Sequence, residues 1–317
     1  MKHNSYSFLS SGINIEEKFS FKRLDALMEW SFEKNITNDN YIKLNYSCNC
    51  SKEIYLYDKD SKTLNCQLFD KYNVFSLYGT VREYIVKDSL VKGLAWLHGS
   101  AFIINDKVVL VVGNKNAGKT TWLLKALFIL NATFVGNDQI PVYKIGEDFF
   151  TRRWRPEIKI KSNFIFDEFL SCTLLFGDCS IYESFDVDSY NILVKDTFRK
   201  RYIPFNCIEQ SKDYKISTVI YLCDEETEPC EIKSVNYKSK IIEDLQKDVE
   251  FLTPKKLIEW NEKIPYWNTR INFIEYDKRT LEMLDNDFKV NFVKRIKILK
   301  CNNRMSTEDI IGVLNRI

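Results

Sequence analysis

Histidine is almost missing from this chain: His3 and His98 are the two in 317 residues. No Ser/His/Asp set assembles around one internal imidazole, and Cys207 and Cys223 have no second histidine to activate a thiol. Glycine (10) and proline (6) are scarce, which excludes collagen-like and Pro/Gly-rich disordered chains. Net charge is small as well. Forty-six basic residues against 44 acidic leave +2, so no global field draws the chain to nucleic acid or anionic lipid, although a local basic patch stays open. No stretch reaches the ~18 apolar residues of a membrane span. The opening MKHNSYSFLSSG holds no apolar run of signal-peptide length. Core material is plentiful, at 45% apolar and 14% aromatic, which excludes wholesale disorder. The length suggests two compact units, or one with a sizeable extension.

The nine cysteines are odd in number and scattered, and nothing marks an oxidising compartment, so the expectation is reduced thiols and a cytoplasmic protein. Cys48-Asn49-Cys50 lacks both the spacing and the second pair that zinc requires. The sequons at Asn35 and Asn45 are chance matches without secretion. Trp154, Trp260 and Trp267 read as core or interface residues, and no RNP-like pattern accompanies them.

Three regions are expected. Residues 1–88 read as a small β-rich accessory or substrate-binding domain. Alternating runs stand at Tyr41–Tyr46, Glu53–Tyr57 and Thr63–Phe69, with a hairpin turn at Asp58–Lys62 and one helical segment at Glu16–Phe32. Residues 89–235 open with a strand at Ala101–Ile104, a tight turn at Asn105-Asp106 and a buried strand at Lys107–Val112. A helix at Lys119–Leu130 and strands at Thr133–Gly136 and Ile216–Leu222 follow. Residues 236–317 read as a mixed C-terminal α/β extension packed on the core. Thr253-Pro254 marks a helix start there, and Ser306 with Asp309 resembles a capping box.

The chemistry is concentrated in Gly113-Asn114-Lys115-Asn116-Ala117-Gly118-Lys119-Thr120-Thr121, which matches G-x-x-x-x-G-K-[ST] between an apolar strand and an amphipathic helix. Glycines at the first and sixth positions let backbone N–H groups wrap a phosphate at the positive end of a helix dipole. Lys119 offers an ammonium to the β and γ phosphates, and Thr120 a hydroxyl to a bridging magnesium ion.

Around that loop, the run from Leu97-His98-Gly99-Ser100 to Gly136-Asn137-Asp138-Gln139 resembles the core of the HPr kinase/phosphorylase family. The likeness covers roughly residues 94–145 and fades beyond them. It implies an α/β P-loop core related to phosphoenolpyruvate carboxykinase, between the β-rich N-terminal domain and the C-terminal extension. It also implies ATP and Mg2+ as cofactors and phosphorylation of a serine-type hydroxyl on a peptide or small protein, with ribosomal peptide natural products among the candidates. The family's tendency to homo-oligomers carries over in the same way, and no nucleic-acid or membrane partner is implied.

By position, Gly113 to Thr121 would hold the triphosphate, and His98 would orient a carboxylate or amide at the site. Thr120, Asp138 and Glu157 would ligate the metal, the last within a loosely matching Glu157-Ile158-Lys159 segment. Arg152, Arg153 or Arg155 would clamp phosphate oxygens, with the Arg199-Lys200-Arg201 cluster a weaker candidate. The family's acidic pair becomes Asn137-Asp138 here. An amide cannot accept a hydroxyl proton, which leaves three outcomes: Asp138 acts as base or metal ligand, transfer proceeds by positioning alone, or the chain binds nucleotide without transferring phosphate. A hydrolytic ATPase or GTPase ranks lower, because the sequence pattern shows neither an apolar run ending in Asp-Glu nor an Asn-Lys-x-Asp guanine signature.

Overall fold

The computed structural model describes residues 2–9, 11–17, 33–34, 41–47, 54–67, 74–154, 158–161, 199–202, 209, 211–225, 228–248, 251–263, 271 and 273–317. The chain is mixed α/β. Its first sheet holds β1 (Lys2–Phe8), β2 (Ser11–Glu17), β3 (Glu33–Lys34), β4 (Tyr41–Ser47), β5 (Ile54–Asp58) and β6 (Thr63–Gln67), in the order β3-β1-β2-β4-β6-β5. The alternation expected of β4 and β6 is realised: Ile42, Leu44, Tyr46, Leu64 and Cys66 are buried while the residues between them face outward. Asp58 closes the β5–β6 turn by accepting from the Asp60 N–H at 3.1 Å and the Ser61 hydroxyl at 2.6 Å.

Two expectations for this region need correction. Glu16 and Glu17 of the anticipated helix belong to β2, and residues 18–32 lie outside the described residues. A long helix that the pattern hid, α1 (Val74–Val91), follows the sheet and runs across residues 88 and 89. Its β-branched and aromatic residues have strand propensity, yet Leu77, Val81, Tyr84 and Ile85 recur at helical spacing and are buried. Gly93 ends it at φ 87, with Leu94 N–H on the Ser89 carbonyl and Gly93 N–H on that of Leu90, both at 3.0 Å. That is the Schellman arrangement, and a left-handed position favours glycine there. On α1, Lys87 donates to the Ile271 carbonyl at 2.5 Å while Glu83 accepts from the Ile271 N–H at 3.3 Å. Both backbone groups of a fully buried residue are thereby satisfied.

The second sheet begins with β7 (Ala95–Leu97), β8 (Gly99–Ile104) and β9 (Lys107–Gly113). After β9 come α2 (Lys119–Ile129), β10 (Thr133–Asn137), β11 (Ile140–Ile145) and β12 (Asp148–Thr151). A separate ribbon pairs β13 (Ile158–Lys161) with β14 (Arg199–Tyr202). Then follow β15 (Tyr214–Cys223), β16 (Cys230–Ile232), α3 (Val235–Leu245), α4 (Pro254–Lys263), α5 (Lys278–Arg295), β17 (Lys297–Asn302) and α6 (Thr307–Asn315). β9, β15 and β17 are neighbouring parallel strands, so the C-terminal region supplies a strand of this sheet as well as helices. The remaining pairings are antiparallel.

β7–β8 and β10–β11 are one antiparallel ribbon broken in the middle. Leu97 stands opposite Ile140 and Ser100 opposite Asn137, with the break at His98 and Asp138. From there β11 pairs β12, β12 pairs the start of β15, and the sheet curls back on itself.

Each face of the curled sheet buries its own helices. Leu97, Ala101, Leu110, Val112 and Tyr221 pack with Ile241 and Leu245 of α3 and Phe288 and Phe292 of α5. Phe102, Val109, Val111, Ile220 and Leu222 pack with Trp122 and Leu123 of α2 and Ile310 and Leu314 of α6. Covering on both faces is why β9 reads as an unbroken apolar run. Ser306 caps α6, accepting from the Asp309 N–H at 3.1 Å, and its hydroxyl, in place of the backbone N–H of a full capping box, donates to the Asp309 carboxylate at 2.7 Å. A third core joins the first sheet and α1 to Trp96, Trp154, α4 and Leu281. No disulfide joins the four cysteines among the described residues.

Three stability predictions concern these elements. Lys87→Met leaves Glu83 and the Ile271 carbonyl without the buried ammonium, and urea unfolding should report a loss of about 3 kcal/mol. The exposed pair Lys92–Asp88 should cost under about 1 kcal/mol when broken. Burial pushes the Cys301 thiol from its ordinary 9.0 up to about 12. The unfolded chain ionises first, so stability should hold below pH 9 and decline as pH rises from there toward 12. Cys301→Ala should make that decline shallower in urea titrations at stepped pH.

Candidate functional site

β9 delivers Gly113 to the sheet's edge, directly opposite Leu222 of the parallel strand β15. A Cβ on Gly113 would lie 2.7 Å from the Leu222 carbonyl oxygen and 3.1 Å from the Ala117 Cβ, so only glycine fits where the chain leaves the sheet. Asn114, Lys115 and Asn116 are exposed, and the Ala117 N–H closes a turn on the Asn114 carbonyl at 3.1 Å. Gly118, at φ 87, occupies the cap position of α2, whose start has no side-chain cap and no acidic residue in its first turn. Backbone N–H groups at such a helix start attract an anion, and no carboxylate here opposes one. Lys119 is buried at 7% exposure, its ammonium donating to the Gly113 and Asn114 carbonyls at 3.0 Å each. Those two oxygens hold the cation that a phosphate oxygen would otherwise accept. Thr120 and Thr121 follow in the first turn, partly exposed.

The strand ends beside the loop come from the broken ribbon. Asn137 is buried and its side-chain oxygen accepts from the Ser100 hydroxyl at 2.8 Å, so the amide is built into the sheet. Asp138 stands at φ 76, its N–H on the Gly99 carbonyl at 2.8 Å, and is partly exposed. His98 sits at the same break. Its partner is the carboxylate of Asp248, in the turn after α3: Nδ1 and Oδ2 are 2.5 Å apart. Nothing in local spacing announces this pair, because 150 residues separate its members.

Two further residues were missed. Against expectation, an apolar run does end in Asp-Glu: β15 runs into Asp224-Glu225 on the strand next to β9. The strand expected at Ile216–Leu222 runs one residue further, through Cys223, and the acidic pair follows it directly; a register shift between Ile216 and Thr218 interrupts the pairing with β9. Lys300 pairs with Glu225 and also donates to Tyr237 at 2.8 Å, and the Glu225 contact holds the Lys300 pKa above its ordinary value. Asp224 instead accepts from the Asn303 side chain, and the Asn303 carbonyl lies 3.8 Å from where a Gly118 Cβ would stand. Its strand is one step from β9, about 4.8 Å, whereas the strand carrying Asp138 is two steps away, about 9.6 Å.

Other expected residues are not gathered here. Arg152 makes a fork onto Asp213 at 2.8 and 2.6 Å, and Tyr143 donates to the same carboxylate at 2.5 Å. Thr151 is opposite Tyr214 while Gly113 is opposite Leu222, which puts Arg152 and Arg153 roughly 26 Å along β15 from the loop. A phosphate clamp from those two arginines is therefore ruled out by the register. Arg155 and Glu157 lie outside the described residues, and Arg199–Arg201 are seen as backbone of β14. No cluster of three or more His, Cys, Asp or Glu suited to a metal forms among the described residues.

On the α3 side of the loop is a cleft of about 570 Å³ lined by Asn114, Lys115, Tyr221, Asp244, Lys247 and Asp248. Lys247 pairs with Asp244 at 2.6 Å. Burial, followed by the Asp244 charge, pushes the Tyr221 phenol up to about 12, so it stays a neutral donor at physiological pH. No helix among the described residues is long and apolar enough to cross a membrane.

No family model matches the chain, and no curated protein matches it. Among solved structures, the HPr(Ser) kinase/phosphatase from Coxiella burnetii is distantly similar. The likeness covers 43% of this chain and 69% of that one, at 15% identity and a TM-score of 0.25. A likeness of that size leaves the site to be judged on its own geometry.

Proposed function

We propose that this chain binds a nucleoside triphosphate, ATP by preference, on the Gly113–Thr121 loop and transfers the terminal phosphoryl group to a hydroxyl of a peptide or small protein. The observation that carries the first half is the pairing of an uncapped α2 start with the Lys119 ammonium folded onto the loop's own carbonyls. Both elements are present and neither meets an opposing carboxylate in the first turn. The residues fit a triphosphate: Asn114, Lys115 and Asn116 are exposed, Gly118 adds no bulk, and the first N–H groups of a helix have no intrahelical acceptor.

Hard oxygen donors suited to magnesium stand at the adjoining strand ends, and they fit that ion by chemistry. Thr120 and Asp224 would hold it, Asp224 standing at the end of the strand next to β9; when bound, it would neutralise charge developing on the phosphates. Lys119 would exchange its carbonyl partners for phosphate oxygens. Asn137 would keep the strand ends aligned through Ser100 without accepting a proton. The peptide or small-protein acceptor is what the resemblance of residues 94–145 implies.

The buried Ser100–Asn137 pair also favours a second reading, a nucleotide-dependent regulatory or partner-binding protein without transfer. Calorimetry with ATP, GTP and magnesium, followed by an assay for ADP, separates the two. Wild type should bind MgATP, and Lys119→Ala should weaken binding by at least about 100-fold, the loss of a charge-assisted contact of roughly 3 kcal/mol. Binding without ADP formation from any acceptor would leave the second reading standing, and no heat at all would remove both. Asp224→Asn should weaken the magnesium-dependent part of binding by about 10-fold while leaving metal-free binding unchanged.

A further inference from the structure

Phosphoryl transfer to a hydroxyl releases a proton, and the amide of Asn137 at the end of β10, tied to Ser100, has no basicity to accept it. We infer that Asp248, held by His98, takes that proton, and that the acceptor hydroxyl enters through the cleft between Asp248 and the loop residues Asn114 and Lys115. This rests on the phosphoryl-transfer reading above and assigns the proton step of the same site.

Three observations converge on Asp248. It lines the same cleft as the second and third residues of the phosphate loop, so its carboxylate and the loop border one space. That space, about 570 Å³, is of the size that encloses a side chain with its neighbouring backbone. The carboxylate is also held in place. His98 approaches one oxygen at 2.5 Å, and the two side chains keep 14% and 18% exposure, with Asp248 the member that lines the cleft.

The backbone under the pair is fixed independently of it. Asp248 N–H binds the Leu245 carbonyl at 3.0 Å, closing the turn after α3. Trp96 and Leu252 exchange two backbone hydrogen bonds at 2.7 and 2.8 Å, and both side chains are fully buried. The turn carrying Asp248 is thus pinned to the strand that leads into His98 by contacts that do not involve the two side chains. A merely structural role for the His98–Asp248 contact would duplicate this bridge. Preorganised placement of a proton acceptor is what the chemistry requires.

The step balances as follows. The acceptor oxygen forms a bond to the terminal phosphorus as the bond from that phosphorus to the bridging oxygen breaks. The bond's electron pair leaves with the nucleoside diphosphate, and the hydroxyl proton passes to the Asp248 carboxylate. His98 keeps its Nδ1 proton on the other carboxylate oxygen throughout, which makes it a positioning residue. The cleft lies on the α3 face, whereas Thr120 and Asp224 lie toward α2, so acceptor and metal would reach the loop from opposite sides of the sheet.

The test uses the full chain with ATP, magnesium and a library of serine-centred peptides as the probe, reading the MgATP dissociation constant by calorimetry and the rate of ADP formation. Asp248→Asn should bind MgATP within twofold of wild type and form ADP about 100-fold more slowly. His98→Asn, whose amide can still donate, should recover at least about tenfold over His98→Ala in kcat with KM for ATP unchanged, a split that loss of stability alone would not produce. Should Asp248→Asn not fold by urea titration, Asp248→Glu takes its place, and a rate lowered at least about tenfold supports the assignment. A folded Asp248 variant turning over within threefold of wild type overturns it while leaving the kinase reading intact. Wild type that binds MgATP and forms no ADP overturns both, and does so before any substitution is made.

Discussion

β9 and β15 run side by side until Gly113 meets the Leu222 carbonyl with no room for a Cβ between them. That close approach obliges the chain to leave the sheet there and re-enter regular structure as α2. Everything at the site is arranged around this departure. The helix start has no side-chain cap, the Lys119 ammonium turns back on the carbonyls of the exit, and the end of β15 delivers the Asp224 carboxylate on the neighbouring strand. Displacing Gly113 would move the loop, the lysine and the helix axis together.

The curled sheet separates two kinds of chemistry. On the α2 face lie the hydroxyls of the first helical turn and the Asp224–Asn303 contact; on the α3 face lies the cleft with Asp248. The alternation of β15 performs the sorting. Tyr221 and Cys223 pack toward α3 while Leu222 packs toward α2, and the partners of Glu225 and Asp224 continue the alternation beyond the strand. Glu225 is taken up by Lys300, which leaves the two adjacent acidic residues unequal in what they can do.

What was legible in the sequence was local. The Asn105-Asp106 turn, with positive φ at both residues, is the two-residue hairpin its composition announces. The glycine spacing and the apolar run before it placed the loop, and Ser306 with Asp309 placed the start of α6. α1 was hidden because its residues have strand propensity and the packing that makes it a helix comes from distant elements, Trp96 and Ile271 among them. Asp248 was hidden because turn and strand meet only in the folded chain. Asp224 stands plainly in the sequence after the apolar run Val219–Cys223; what the sequence does not show is that this strand lies next to β9, which places the carboxylate near the loop. Arg152 shows the converse: a basic run suggests anion binding by composition, yet its fork already closes on Asp213 at the far end of β15.

The central claim is that the backbone from Gly113 to Thr121 receives a triphosphate, and amide hydrogen exchange reads that backbone directly. Adding MgATP should slow exchange at the amides of residues 114–121 and at the strand ends around Asp138 and Asp224, with little change at Arg152 or in the first sheet. Unchanged exchange across the loop, or protection confined to other parts of the chain, would contradict the account.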